Sequence, residues 1–236
     1  MPAFARVAFA GIPYHVTQRG NYRQDVFFSD EDRATYLGFV VRAAENYHLD
    51  LHGWCLMSNH VHWVVIPHAP HAMAQSFRRA HSQYARYINS QNKRRSGHLW
   101  QARYYSCPLD EPHFDAALLY VERNPVRAGL ANAATDYRWS SAAARVGLRT
   151  LPRFLKLHEW NKRYSPDNWQ HRLTGAQDAD MEQSLRASTL QGKPFGSPDF
   201  IEQFARATGR PMNVRPIGRP NTQKVDGGSF YPRPLA

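Results

Sequence analysis

Two histidines, His60 and His62, stand in the otherwise apolar run "LMSNHVHWVV" at residues 56–65. On a strand, residues two apart project from the same side. The pair is therefore a two-nitrogen clamp for a metal ion. Two ligands are too few for a closed structural zinc site, which takes four. With a third ligand and room for substrate oxygens the same pair is a catalytic arrangement. Spacing alone leaves a plainer reading open: two ordinary strand histidines at a surface. A second group lies in "PHFDAALLYVERN", residues 112–124. At about 100° per residue, Phe114, Ala117, Leu118 and Val121 form one apolar stripe. Tyr120 falls roughly 110° from its centre and Asn124 roughly 70° away on the same side. The two are i and i+4, hence neighbours. A tyrosine hydroxyl at the stripe's edge can face a cleft. An asparagine oxygen can complete a nitrogen and oxygen set suited to Mg²⁺ or Mn²⁺. The plainer readings are a core-edge tyrosine and a helix C-cap before Pro125.

These groups need elements to hold them. "IPYHVTQRG" alternates and reads as a strand ending at Gly20, with His15 on it as a structural histidine or one near the metal pair. "SDEDRATYLGFVVRAAENYH" opens with Ser29 and an acidic first turn, a helix start. "LDLHGWCLMS" and "HVHWVVIP" are strands joined at Ser58-Asn59 as a hairpin. "HAMAQSFRRAHSQYARYINSQNKRR" is helical, with Met73, Phe77, Ala80, Tyr84 and Ile88 at intervals of three or four. "HLWQARYYSC" returns to strand, with Tyr104 and Tyr105 as packing residues beside Trp100. "DEPHFDAALLYVERNP" is a helix capped by Asp110 and stopped by Pro125. The order β-α-β-β-α-β-α suits an α+β, ferredoxin-like antiparallel sheet with flanking helices.

The expected organisation is a first domain over residues 1–149, a helical extension over 150–209 and a basic tail over 210–236. In the extension, Ser165-Pro166 and Ser197-Pro198 read as helix starts, Gly192 and Gly209 as stops. The tail is rich in Pro, Gly and Arg without periodicity and reads as flexible.

Net charge is +11 over 236 residues. A polyanion, nucleic acid first, is the expected partner. No run approaches the roughly 18 apolar residues of a membrane span, and no membrane partner is expected. "MPAFARVAFAGIPYHV" lacks the apolar core of a signal peptide, which predicts a cytoplasmic protein, and the nucleic-acid-binding reading makes it nucleoid-associated. Cys55 and Cys107 are expected as free thiols. Candidate phosphate contacts are Arg78 and Arg79 on the second helix with Lys93, Arg94 and Arg95 after it. Arg19, Asn21 and Arg23 in "QRGNYRQ" suit unstacked bases.

The ordered motifs "HVTQRGN", "LMSNHVH", "SGHLWQARYYS", "NPVRAGL" and "DYRWSS" resemble the REP-associated tyrosine transposases, part of the HUH class of single-strand DNA endonucleases. The resemblance spans residues of about 12 to 145. Ser58 departs from it, where relatives commonly carry proline, and alters a turn rather than a ligand. The resemblance implies the HUH endonuclease fold. It implies His60 and His62 as metal ligands, Asn124 as the supporting amide and Tyr120 as nucleophile, with Mg²⁺ or Mn²⁺ as cofactor. It further implies cleavage and rejoining of single-stranded DNA at REP-type palindromic hairpins beside a 5′ tetranucleotide, through a 5′-phosphotyrosine. A monomer is the expected state. The competing readings are a hairpin-binding architectural protein with little chemistry, which needs no such complete residue set, and a basic RNA-hairpin protein.

Overall fold

The computed structural model describes residues 8–91, 98–176, 178–210 and 212. Strands β1 (Tyr14–Arg19), β2 (Leu49–Leu56), β3 (His60–Pro67) and β4 (Tyr105–Pro108) form a sheet in the order β2-β3-β1-β4, with every pairing antiparallel. That order, with helices α1 (Asp30–Asn46) and α2 (Ala72–Gln91) as crossovers, is the ferredoxin-like arrangement that the element order predicts. After β4 come α3 (Glu111–Glu122), α4 (Asn124–Arg127) and α5 (Ala142–Arg145). The extension adds α6 (His158–Asn161), α7 (Pro166–Thr174), α8 (Ala179–Gln191) and α9 (Pro198–Thr208).

Helix ends fall where the sequence places them. Ser29 and Asp32 form a reciprocal capping box at the start of α1. Asp110, Ser165 and Ser197 each accept a backbone N–H at their own helix starts. Gly192 and Gly209 close α8 and α9 in the left-handed conformation.

Alternation along β3 divides the core. Val61, Trp63 and Val65 meet α1 and α2 through Tyr36, Val40, Phe77 and Tyr84. Val64 on the other face joins Cys55, Cys107 and the α3 stripe Phe114, Ala117, Leu118 and Val121. Trp160, Trp169, Leu173 and Leu185 of the extension lie in this second cluster. Gly53 lets α3 approach: a Cβ there would sit 2.5 Å from Leu118 Cδ2. Both cysteines are free and buried.

Two elements differ from expectation. The strand expected over "HLWQARYYSC" is confined to Tyr105–Pro108, with Trp100 making a single bridge to Gly20. The Gln18 side chain donates to the Ala102 carbonyl at 2.6 Å, so a side chain takes an acceptor that a ladder would use. Tyr104 accordingly lies before the strand, buried against Phe77. The helix carrying Tyr120 also ends at Glu122, and Asn124 opens the separate turn α4. Pro125 has no N–H to donate back to Val121 and its ring crowds that carbonyl. Lys93, Arg94, Arg95 and the expected tail beyond residue 212 lie outside the described residues.

A carboxylate ties the layers together. Glu122 and Arg145 form an ion pair at 2.7 Å with neither side chain exposed. Glu122 also accepts from Ser141 Oγ at 2.6 Å and Trp169 Nε1 at 2.8 Å. Arg145 donates to the His52 carbonyl in β2. Removing one partner strands the other charge, so Glu122→Ala should cost about 3–5 kcal/mol. Urea unfolding followed by tryptophan fluorescence measures it; a loss below about 1 kcal/mol, the scale of an exposed pair, would contradict a central role.

Candidate functional site

On the face covered by α3, β3 presents His62 and, at its open end, His60. Their ring centroids lie 4.9 Å apart. Tyr120 reaches from α3, its ring 5.6 Å from that of His62 and 5.5 Å from that of His15. His15, on the neighbouring strand β1, stacks on His62 at 5.2 Å, and its Nε2 lies 2.9 Å from His62 Nδ1. His15 is thus in the site, the second of the two readings its position in β1 allows.

Tyr120 is 8% exposed, more buried than a stripe-edge position suggests. The difference comes from residues far along the chain. The Arg127 guanidinium lies 4.2 Å above the Tyr120 ring and donates to the Tyr120 carbonyl at 3.4 Å. Glu182 of α8 pairs with Arg127 at 3.1 Å. Burial pushes the Tyr120 phenol up, with Arg127, Arg186 and Arg19 pulling it back and Glu182 adding to the rise. Arg127 stands in the motif "NPVRAGL", which marks its place but not its role, and Glu182 and Arg186 carry no signal in the sequence. Arg127 lies beyond a proline break, and the other two are on a helix whose pattern says only that it is amphipathic.

Burial, aided by nearby arginines, pushes His60 down to about 4 and His15 to about 3, and holds His62 well below its ordinary value. All three rings are neutral at pH 7, the form that ligates metal. Asn59 Nδ2 donates to the Arg23 carbonyl at 3.2 Å, which turns its Oδ1 toward His60 Nδ1 at 2.6 Å. His60 therefore donates from Nδ1 and keeps its Nε2 lone pair.

Among the described residues no group of three His, Cys, Asp or Glu could hold a metal. A set containing an amide escapes that description. Asn124 is buried, and its Nδ2 has no hydrogen-bond partner. A half-turn of the amide puts the oxygen at that orphaned position. As donor types, two neutral imidazoles and one amide oxygen suit a borderline or hard divalent cation.

Of the candidate DNA contacts, Arg19 ends β1 beside the site, close enough to act on Tyr120 and His60. Asn21 and Arg23 follow on an exposed turn in which Tyr22 and Arg23 both take positive φ and Tyr22 is 93% exposed. Gly20 makes that turn possible, since a Cβ there would sit 2.3 Å from the Gln24 carbonyl. Arg78 and Arg79 are exposed on α2, across the sheet from Tyr120. Arg78 lines a cleft of about 730 Å³ with Gln18, His81 and Trp100. Tyr84 is structural, donating to the Val26 carbonyl at 2.6 Å.

A family description, IS200-like transposase, matches residues 8–124. No curated protein matches the chain in sequence. Among solved structures, the chain is similar to a REP-associated tyrosine transposase bound to a REP hairpin. Identity is 16% and the TM-score 0.54, over 65% of this chain and 90% of that one. It is also similar to a candidate transposase of Deinococcus radiodurans R1, at 20% identity and TM-score 0.38, over 51% of this chain and 96% of that one. Among the described residues no helix is long and apolar enough to cross a membrane.

The neutral histidines give a pH prediction. The folded value of His15 is about 3, and those of His52 and His60 about 4, below the ordinary 6.5. As pH falls, the unfolded chain takes up protons first. Stability is then full above pH 6.5 and declines as pH drops toward 4. Urea midpoints measured in EDTA should be lower at pH 5 than at pH 7; equal midpoints would show that these rings are not held neutral.

Proposed function

We propose, on the match of residues 8–124 to the IS200-like transposase description, that the chain nicks and rejoins single-stranded DNA at REP-type hairpins. The observation that carries this reading is the packing of Tyr120 against His62 at 5.6 Å, with His60 alongside and three arginines around them. The hairpin substrate is supported by fold likeness to a transposase bound to a REP hairpin and by the charge of +11; the 5′ tetranucleotide beside it comes from the motif resemblance alone.

His60, His62 and Asn124 would hold the divalent ion, Mg²⁺ or Mn²⁺. When bound, it supplies Lewis-acid stabilisation of charge on the scissile phosphate. The chain's own residues do the rest. Tyr120 Oη attacks phosphorus as its proton leaves to water. The bond from phosphorus to the 3′ oxygen breaks, and that oxygen takes up a proton as a free 3′-hydroxyl. The 5′ phosphate stays on Tyr120. Rejoining reverses the exchange, one phosphodiester for another, so no nucleotide triphosphate is needed. Arg19, Arg127 and Arg186 offset the phosphate charge, and Arg127 holds the phenol ring in place. Burial raises the phenol further, so the resting side chain is protonated and the arginines are what draw it back. Asn21, Arg23, Arg78, Arg79, Lys93, Arg94 and Arg95 would extend the contact to the hairpin. The chain would act as a cytoplasmic, nucleoid-associated monomer.

The test uses an end-labelled single-stranded REP hairpin with its flank, Mg²⁺ or Mn²⁺, and denaturing electrophoresis. Wild-type protein should give a nick and a covalent adduct. Tyr120→Phe should lose both and keep hairpin affinity. His60→Ala, His62→Ala or excess EDTA should abolish cleavage with far smaller effects on binding, which rests on phosphate contacts. Cleavage by Tyr120→Phe at the wild-type rate would remove the nucleophile assignment. Tight binding without any wild-type cleavage would favour an architectural role.

Phosphate contact at Arg19 has its own signature. Arg19→Ala should weaken hairpin binding across sequences and make the slope of log affinity against log salt shallower by about one. An unchanged slope would place the phosphates elsewhere.

A further inference from the structure

Thr189 lies on α8, far outside the family-matched segment, and it touches the histidine pair. Its Oγ1 lies 2.8 Å from His15 Nδ1, 2.7 Å from the Leu185 carbonyl oxygen and 3.1 Å from Cys107 Sγ. A hydroxyl has one proton to give and two lone pairs. Two oxygens at 2.7 Å need a proton between them, so the hydroxyl proton belongs to the Leu185 carbonyl. With that one proton given to Leu185, the contact to Cys107 Sγ at 3.1 Å has the thiol as its donor. Thr189 is then left able only to accept from His15 Nδ1.

The consequence runs along the pair. A neutral His15 that donates from Nδ1 has a bare Nε2. That nitrogen lies 2.9 Å from His62 Nδ1, which must therefore carry the proton. His62 is left with its lone pair on Nε2. The opposite setting would place an N–H on Nε2, where no metal can bind. We infer, on the reading of His62 as a metal ligand given above, that Thr189 of the C-terminal extension is a positioning residue that sets the His62 tautomer through His15. His60 receives the same setting from Asn59, so both imidazoles arrive with the same nitrogen free.

The extension thus acts on a site whose proposed nucleophile and metal-binding side chains lie in the first 124 residues. The change predicted is chemical, since no side chain at Thr189 has to reach the metal or the DNA.

The experiment uses the full chain with ¹⁵N-labelled histidine, free of metal, and long-range proton–nitrogen NMR to read which nitrogen of each ring is protonated. Wild-type protein should show both His15 and His62 protonated at Nδ1. Thr189→Val keeps the shape and removes the acceptor. It should shift His62 toward the Nε2–H form and lower Mn²⁺ affinity, measured by calorimetry, about tenfold. Thr189→Ser should restore both. A wild-type His62 protonated at Nε2 overturns the relay without any variant. So does a Thr189→Val protein whose His62 signals and Mn²⁺ affinity are unchanged. His62→Ala tests the other premise: unchanged Mn²⁺ affinity there would remove the ligand reading, while the nitrogen signals still decide the relay.

Discussion

A single buried carboxylate holds the molecule to its shape. Glu122 follows Tyr120 by two residues on α3 and reaches no water. Its oxygens are satisfied by Ser141, Arg145 and Trp169, from two later stretches of chain. Arg145 passes the constraint on to β2 through the His52 carbonyl. Burying two charges has a high desolvation cost, recovered only when geometry is met at every partner. The network therefore tolerates little drift in α3, and α3 sets where the Tyr120 ring meets the histidines. The family match ends at residue 124, short of Ser141, Arg145 and Trp169. The stretch that resembles relatives and the stretch that satisfies its own buried charge are different lengths.

Around the histidines, burial and charge act in the same direction. Desolvation lowers the imidazoles, and Arg19, Arg127 and Arg186 lower them further. For the phenol the two oppose: burial raises Tyr120 and the arginines draw it down. One environment thus favours neutral ligands and leaves a nucleophile whose ionisation responds to whatever anion the arginines are shared with. Glu182, paired with Arg127, occupies part of that cationic field.

The local half of this structure is legible in the sequence. Capping residues, glycine stops and the period-2 run of β3 are short-range signals, and α1, α3, α7 and α9 begin where Ser29, Asp110, Ser165 and Ser197 place them. The shared face of His60 and His62 follows from the same period. What failed were cases in which a distant group outvoted a local pattern. Residues 99–104 are rich in strand formers, yet Gln18 captures a carbonyl there and the ladder starts only at Tyr105. The wheel puts Tyr120 at the edge of a stripe; Arg127 and the partner it finds on α8 make that edge interior. Thr189 shows the limit most clearly, because a threonine in an amphipathic helix gives no hint of a histidine 174 positions earlier.

That separation also orders events in time. His15 is made 174 residues before Thr189. At ordinary synthesis rates roughly 10–30 s pass between them. Contacts so distant along the chain cannot form until the intervening loop closes, and such closures are slow steps in folding. The sheet and the tyrosine helix can be in place well before α8 arrives. A ribosome-bound chain therefore carries a nearly finished site in which the His15–His62 contact stays unset until α8 has emerged and packed.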